Sequence, residues 1–329
     1  MTSLPETNIA ESENPATESS FKVDRDEAGM RLDAFLAEKI EGWSRSRLQR
    51  LIENEDVLVN EAKAKPSHKL RENDEIEVDL VEAQTARFEP ENIPLDIVFE
   101  DEYLAVINKP AGMVVHPGAG VQRGTLANAI AYHFEFEQSA AGDPAELRVG
   151  IVHRLDKDTS GLIVVAKTEE IHEALSEQFR ERKVYKNYVA LVHGSPDQNR
   201  GKVDAPIGRN KHNRLRMKVA THGRSAVSLW SVRKRYGKFT LLDVEIKTGR
   251  THQIRVHMGY INHPVVGDEI YNEGRDNTVA DTNVRNAIAT MRRFFLHAEK
   301  LSFTHPKTAE RLEFTQTLPD ELQQLLTIL

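Results

Sequence analysis

The stretch from Gly150 to Gly161, GIVHRLDKDTSG, runs directly into Leu162-Ile163-Val164-Val165-Ala166, and this junction constrains the fold most. A short apolar run bounded by Gly161 and Lys167 reads as a buried strand. The polar loop before it then sits at the mouth of a sheet, held by a rigid element. That loop places Asp156 and Asp158 among His153, Arg154 and Lys157. Carboxylates surrounded by cationic groups stay ionised and act only as acceptors, which suits a nucleophile or a general base. A polar surface loop has the same composition, so the junction alone leaves its chemistry open.

The rest of the composition narrows the class. A chain of 329 residues can build one large or two ordinary domains, and 39% hydrophobic with 29% charged residues describes a soluble globular protein. No apolar stretch approaches a membrane span, and the N-terminus lacks the basic and apolar regions of a signal peptide, so a cytoplasmic location is expected. With no cysteine, disulfides, thiolate catalysis and cysteine-ligated zinc are excluded. The net charge of −7 hides an asymmetry: residues 200–260 carry fifteen Lys/Arg against three Asp/Glu, a local +12 that leaves −19 elsewhere. A basic patch on an acidic body is the footprint of a phosphate-binding surface, and with so few acids nearby it favours nucleic acid over a self-paired face.

Along the chain, residues 1–20 hold four Glu, two Pro and no Lys or Arg, which reads as a disordered acidic tail. Residues 21–80 read as a small separate α/β module. Leu32, Phe35 and Leu36 open one helix; Ser44 caps a second, which buries Leu48, Leu51 and Ile52 and leaves Arg45, Arg47 and Arg50 outside. Short strands follow at Val57–Asn60 and Glu75–Val78, with Lys63, Lys65, His68, Lys69 and Arg71 between them. Arginines on a helix pair beside a basic turn can straddle a phosphate backbone. Residues 81–94 read as a linker. Beyond it, Ile97–Phe99 and Leu104–Ile107 form a hairpin, Thr168 caps a helix, and strands cover Val184–Val192 and residues 239–247. Hairpins with scattered helices predict an α+β domain over residues 95–329, with a mixed, largely antiparallel sheet, flanking helices and a central cleft.

Two further segments carry chemistry. Tyr185 and Tyr188 lie three apart on a strand and so point to opposite faces; a cleft-facing tyrosine can stack on a base and relay a proton. In TGRTHQIRVHM, Thr251 can cap a helix whose buried face is Ile254, Met258 and Ile261. That puts Arg255 near the core boundary, where a carboxylate must meet it; Asp156 is the obvious candidate.

Taken in order, INKPAGMVVHPG, GIVHRLDKDTSGL, KNYVALVHG, TGRTHQIRVHM and FLHAEKLSFTHP resemble the RluA/RluD family of RNA pseudouridine synthases, most closely its RluD type, from about residue 95 to 305. RLDAFL…SRSRLQRLIENEDVLVN resembles the S-four-type RNA-binding domain, and the two in this order are the family's usual arrangement. The resemblance implies the following. Asp156 is the nucleophile, attacking the anomeric carbon or uracil C6, after which the freed or tethered base rotates and rejoins through C5. Arg154 approaches the RNA when the target uridine is flipped out of its stack. Tyr188, rather than Tyr185, stacks on the uracil and assists proton transfer, and Arg255 pairs with Asp156. Arg250 joins Arg45, Arg47, Arg50 and Lys63 as an expected RNA contact. The substrate would be large-subunit ribosomal RNA or an assembling large subunit, modified by a monomer with no cofactor or metal. Residues 272–293 match no hallmark of the family and read as a loop particular to this chain.

Three other readings compete. A metal-dependent nuclease would use His153, Asp156 and Asp158 as ligands, but Arg154 and Lys157 oppose a cation there. A paired-carboxylate glycosidase would leave the basic surface without a role. A non-catalytic RNA-binding or ribosome-assembly protein is the main alternative, and turnover of purified RNA separates it from an enzyme.

Overall fold

The computed structural model describes residues 18–40, 43, 45–53, 55–79, 89–117, 121–134, 150–210 and 213–329. Its main sheet follows the spatial order Arg200–Asp204, Val227–Tyr236, Phe239–Ile246, Tyr185–His193, Leu296–Thr304, Ser160–Ala166, Leu104–Lys109, Ile97–Glu100. Arg311–Thr315 adds to Leu296–Thr304, and Gly150–Ile151 to Ser160–Ala166. The pairing of Leu296–Thr304 with Ser160–Ala166 is parallel, and the other described pairings are antiparallel. This is the mixed, largely antiparallel sheet expected of an α+β domain.

The apolar run after the Asp156 loop is continuous because both faces of its strand are covered. Ile163 and Val165 join one cluster with Tyr188, Leu242 and Val244, while Leu162, Val164 and Ala166 join another with Ile171 and Leu175 of the helix Glu169–Arg180. Thr168 caps that helix, its side chain accepting from the Ile171 amide. Gly161 is required where the strand meets its parallel neighbour. Its φ is +113°, and a Cβ there would lie 2.3 Å from the Ala298 carbonyl oxygen. The loop carrying Asp156 therefore leaves one of the most constrained points of the sheet.

Residues of the N-terminal part close around their own cluster, with Phe35, Leu36, Leu48, Ile52, Val57 and Ile76 buried between helices Leu32–Lys39 and Arg45–Glu53 and a four-stranded sheet. That sheet contains Glu18–Lys22, paired with Glu75–Asp79. Glu18–Ser20, assigned by composition to the acidic tail, are thus in a strand: main-chain pairing to a distant segment orders a sequence with no apolar pattern of its own. Ser44, the expected helix cap, and residues 1–17 and 81–88 lie outside the described residues.

Two other expectations change. The helix after Thr248 spans Gln253–Tyr260 and begins after His252, which holds a left-handed φ of 54°, so Thr251 is not its cap. Residues 272–293 form no simple loop. They contain the helix Thr282–Met291, capped by Asp281, whose Val284 and Ile288 pack with Leu322 and Leu325 of the C-terminal helix Asp320–Ile328.

Candidate active site

Asp156 closes a tight turn, its carbonyl accepting from the Thr159 amide at 3.1 Å. The next carbonyl, that of Lys157, accepts from the Gly112 amide at 2.9 Å and from the buried Lys109 ammonium at 3.0 Å. Lys109 also donates to the carbonyls of Pro110 and Met113, so all three of its donors are used in tying the 109–113 turn to the Asp156 loop. Its burial pushes its pKa down to about 7.

The Asp156 side chain, 18% exposed, forms part of a cavity of about 50 Å³ together with Arg154, Tyr188, His252, Arg255 and Leu296. Tyr188 comes from the strand Tyr185–His193, Arg255 from the helix Gln253–Tyr260, and Arg154 from the Asp156 loop itself. Burial pushes the Asp156 carboxyl up, but His252, Arg255 and Arg154 beside it outweigh this and hold it below the usual carboxylate range. It is therefore ionised at neutral pH. Tyr188 is buried and on the cavity side, whereas Tyr185 is 37% exposed. Burial and the charge of Asp156 push the Tyr188 phenol well above its ordinary value, so it keeps its proton.

Arg255 Nη1 donates to Asp156 Oδ2 at 3.4 Å, but this is not its main partner. Its Nε and Nη2 form a fork on Asp268 at 2.7 and 2.9 Å. The buried arginine foreseen from sequence is thus met chiefly by a carboxylate that sequence reasoning missed. His252 was missed too: its Nδ1 lies 2.8 Å from the Tyr271 hydroxyl, and burial pushes its pKa down to about 4. The signal available in sequence for Asp268 was slight, one of two adjacent acids, Asp268 and Glu269, thirteen positions after Arg255. His153 does not flank Asp156 as a cation. Its Nε2 accepts from the Val164 amide, its ring stacks on Phe179, and burial lowers its pKa to about 3.

Next to this cavity lies a larger one of about 390 Å³, which shares Arg154, Tyr188, Ile246, Gly249 and Arg250 with it. Arg180, Arg182, Lys186 and Lys247 add positive charge, while Glu53, Glu55 and Asp56 of the N-terminal part approach from the other side. Arg250 is engaged there, bonded to the Asp56 carboxylate and the Ser225 carbonyl. Of the other expected RNA contacts, Arg45 bonds Asp33 yet is 52% exposed, and Lys63 bonds Glu55 and is 57% exposed. The side chains of Arg47 and Arg50 lie outside the described residues.

The chain matches the RNA pseudouridylate synthase family over residues 103–260 and the S4 domain over residues 30–76. It is 42% identical to a ribosomal large subunit pseudouridine synthase D from Nitrosomonas europaea, over 98% of this chain and 91% of that protein. A protein of the same name from Xanthomonas campestris is 41% identical, over 92% and 89% respectively. Among solved structures, human RNA pseudouridylate synthase domain containing 4 superposes with a TM-score of 0.53 at 27% identity, covering 70% of this chain and 91% of that one. With 40% or so identity along nearly its whole length, the chain belongs to the RNA pseudouridylate synthase family and is a pseudouridine synthase.

Proposed function

We propose that this enzyme isomerises uridines of large-subunit ribosomal RNA, with Asp156 as nucleophile and the target base flipped out of its stack. The RNA class rests on the names of its relatives. The observation that carries the chemical assignment is Asp156 itself: an ionised carboxylate in a small cavity, with a protonated tyrosine beside it and a basic cavity next door.

In the reaction the C1′–N1 bond breaks, a C1′–C5 bond forms, the C5 proton leaves and N1 gains a proton. Atoms and electrons balance without a redox partner, so the chemistry calls for neither cofactor nor metal. Asp156 supplies the electron pair, to the anomeric carbon or to uracil C6. Tyr188 offers its ring to the uracil and a hydroxyl that still carries its proton. Arg255 keeps the carboxylate charged and fixes one of its oxygens. A stacked uridine cannot reach a carboxylate in a cavity of this size, so the base must leave the helix stack. Arg154 lines both cavities, which supports a role in meeting the strand from which the base leaves.

The test is to map pseudouridines in large-subunit ribosomal RNA from cells with and without the protein, and to repeat the modification with purified components. Sites lost on deletion and restored by the purified enzyme are expected. An unchanged large-subunit map, with new gaps in another RNA, would overturn the substrate assignment.

A further inference from the structure

The bonding of Arg255 is lopsided. Asp268 takes two of its donors at 2.7 and 2.9 Å, and Asp156 receives a third only at 3.4 Å. Asp268 is fully buried, and its Oδ1 also accepts the amides of Ile270 and Tyr271 at 3.1 Å each. It is therefore anchored to its own turn and cannot follow the arginine. The guanidinium is further bounded by two rings, Phe294 at 4.2 Å and Tyr271 at 5.1 Å from its central carbon. A planar fork on a fixed carboxylate, flanked by aromatic faces, sets both the position and the plane of the group.

We infer that Asp268 is a positioning residue that restrains Arg255, so that the guanidinium gives Asp156 one long contact and does not close on it. The inference rests on the reading of Asp156 as the nucleophile. A carboxylate gripped by both prongs of an arginine has its lone pairs occupied and is a poor nucleophile. One touched at a single oxygen stays charged with the other oxygen open. Without the charge of Asp268 the fork loses its bidentate anchor, and Asp156 is a carboxylate that the guanidinium already touches.

This gives a signed signature. Asp156 is faced by Arg154 from its own loop, and by His252 and Arg255 from the helix and its approach. Tyr188 faces it from the neighbouring strand, Tyr271 from the following turn and Lys109 from the strand Leu104–Lys109, while Asp268 acts on Arg255, His252 and Tyr271, and Asp158 on Lys109. Asp268→Asn removes a negative charge and leaves an acceptor for only one prong of the fork, loosening the arginine, so both effects favour the ionised nucleophile. Arg255→Met removes the positive charge and has the opposite effect.

The experiment is single-turnover modification of transcribed large-subunit ribosomal RNA across pH by the wild type, Asp268→Asn, Arg255→Met and Asp156→Asn. Asp268→Asn should bind RNA normally but lose on the order of 10²-fold in rate, the usual cost of misplacing a reacting group by about an ångström. Its acid limb should move to lower pH, and that of Arg255→Met to higher pH. A wild-type rate for Asp268→Asn, or a limb displaced in the same direction as in Arg255→Met, would overturn the inference. Turnover by Asp156→Asn would instead overturn the nucleophile assignment beneath it. If Asp268→Asn does not fold, the wild type still decides. The Nε–H of Arg255, assigned by its loss in Arg255→Met, should be rigid and slow to exchange in nitrogen-15 NMR; a mobile, fast-exchanging group contradicts the restraint.

Discussion

Two carboxylates, Asp33 in the N-terminal part and Asp156 in the large sheet domain, are both held below the ordinary carboxylate range, yet they are built for opposite ends. Asp33 is fully buried and accepts two bonds from Arg31, two from Arg45 and one from Gln49, all between 2.5 and 3.2 Å. Its lone pairs are spoken for, and it ties the start of one helix to the face of the next. Among the described contacts, the Asp156 carboxylate accepts one side-chain bond, at 3.4 Å, and it borders a cavity. Charge does not distinguish the two; saturation does. A carboxylate with every acceptor site occupied holds a fold together, while one kept ionised with an oxygen to spare can attack.

Arg255 is where this contrast breaks most easily. Arg255→Met should be nearly inactive, with an acid limb displaced upward because Asp156 then titrates at a higher pH. Arg255→Lys keeps the charge but not the fork and should be partly active. Equal rates for all three proteins would place Arg255 outside the chemistry. At Tyr188 the expected effect is smaller. Tyr188→Phe preserves the stacking ring and should bind RNA normally while slowing the chemical step by roughly 10²-fold, the lower end for a lost proton-transfer group. A wild-type single-turnover rate would confine Tyr188 to stacking.

The Asp33 side of the comparison predicts a cost in stability with none in chemistry. Asp33→Asn should lower the unfolding free energy by about 2 kcal/mol, typical of hydrogen bonds to a charged group whose partners are half in water. Because the folded value is depressed, that contribution is complete above the unfolded carboxylate value of about 4 and drains away as pH falls below it. Wild type and variant should therefore converge in acid denaturation, and a gap that widens in acid would contradict the assignment. Catalysis per folded molecule should not change. The smallest effect belongs to Lys63, on the exposed rim of the N-terminal part. Lys63→Ala should reduce the logarithmic salt slope of RNA binding by about 0.7 to 0.9, one phosphate contact, with the chemical rate untouched. An unchanged slope would take that rim off the path of the RNA.

What sequence revealed follows the same division between local and distant causes. The strand after the Asp156 loop was legible because its apolar run, Leu162–Ala166, is local and covered on both faces. Strand alternation sends Tyr185 and Tyr188 to opposite sides, but only the family resemblance said which of the two to expect at the cavity. Asp268 was not legible, since nothing near it in sequence shows that its turn folds against Arg255. Glu18–Ser20 look like tail until they pair with the strand Glu75–Asp79, and His252 takes a backbone shape that no residue pattern announces. The engagement of Arg250 by Asp56, nearly two hundred positions away, is likewise invisible before the chain is folded.

The mechanism proposed for this enzyme has Asp156 supply the electron pair. Its most direct test is single-turnover pseudouridine formation by purified Asp156→Asn on transcribed large-subunit ribosomal RNA, with RNA binding measured on the same preparation. Asparagine keeps the shape and an acceptor at that position but cannot act as an anionic nucleophile. Normal binding and no pseudouridine at any enzyme excess are expected; measurable pseudouridine from Asp156→Asn would rule out Asp156 as the nucleophile.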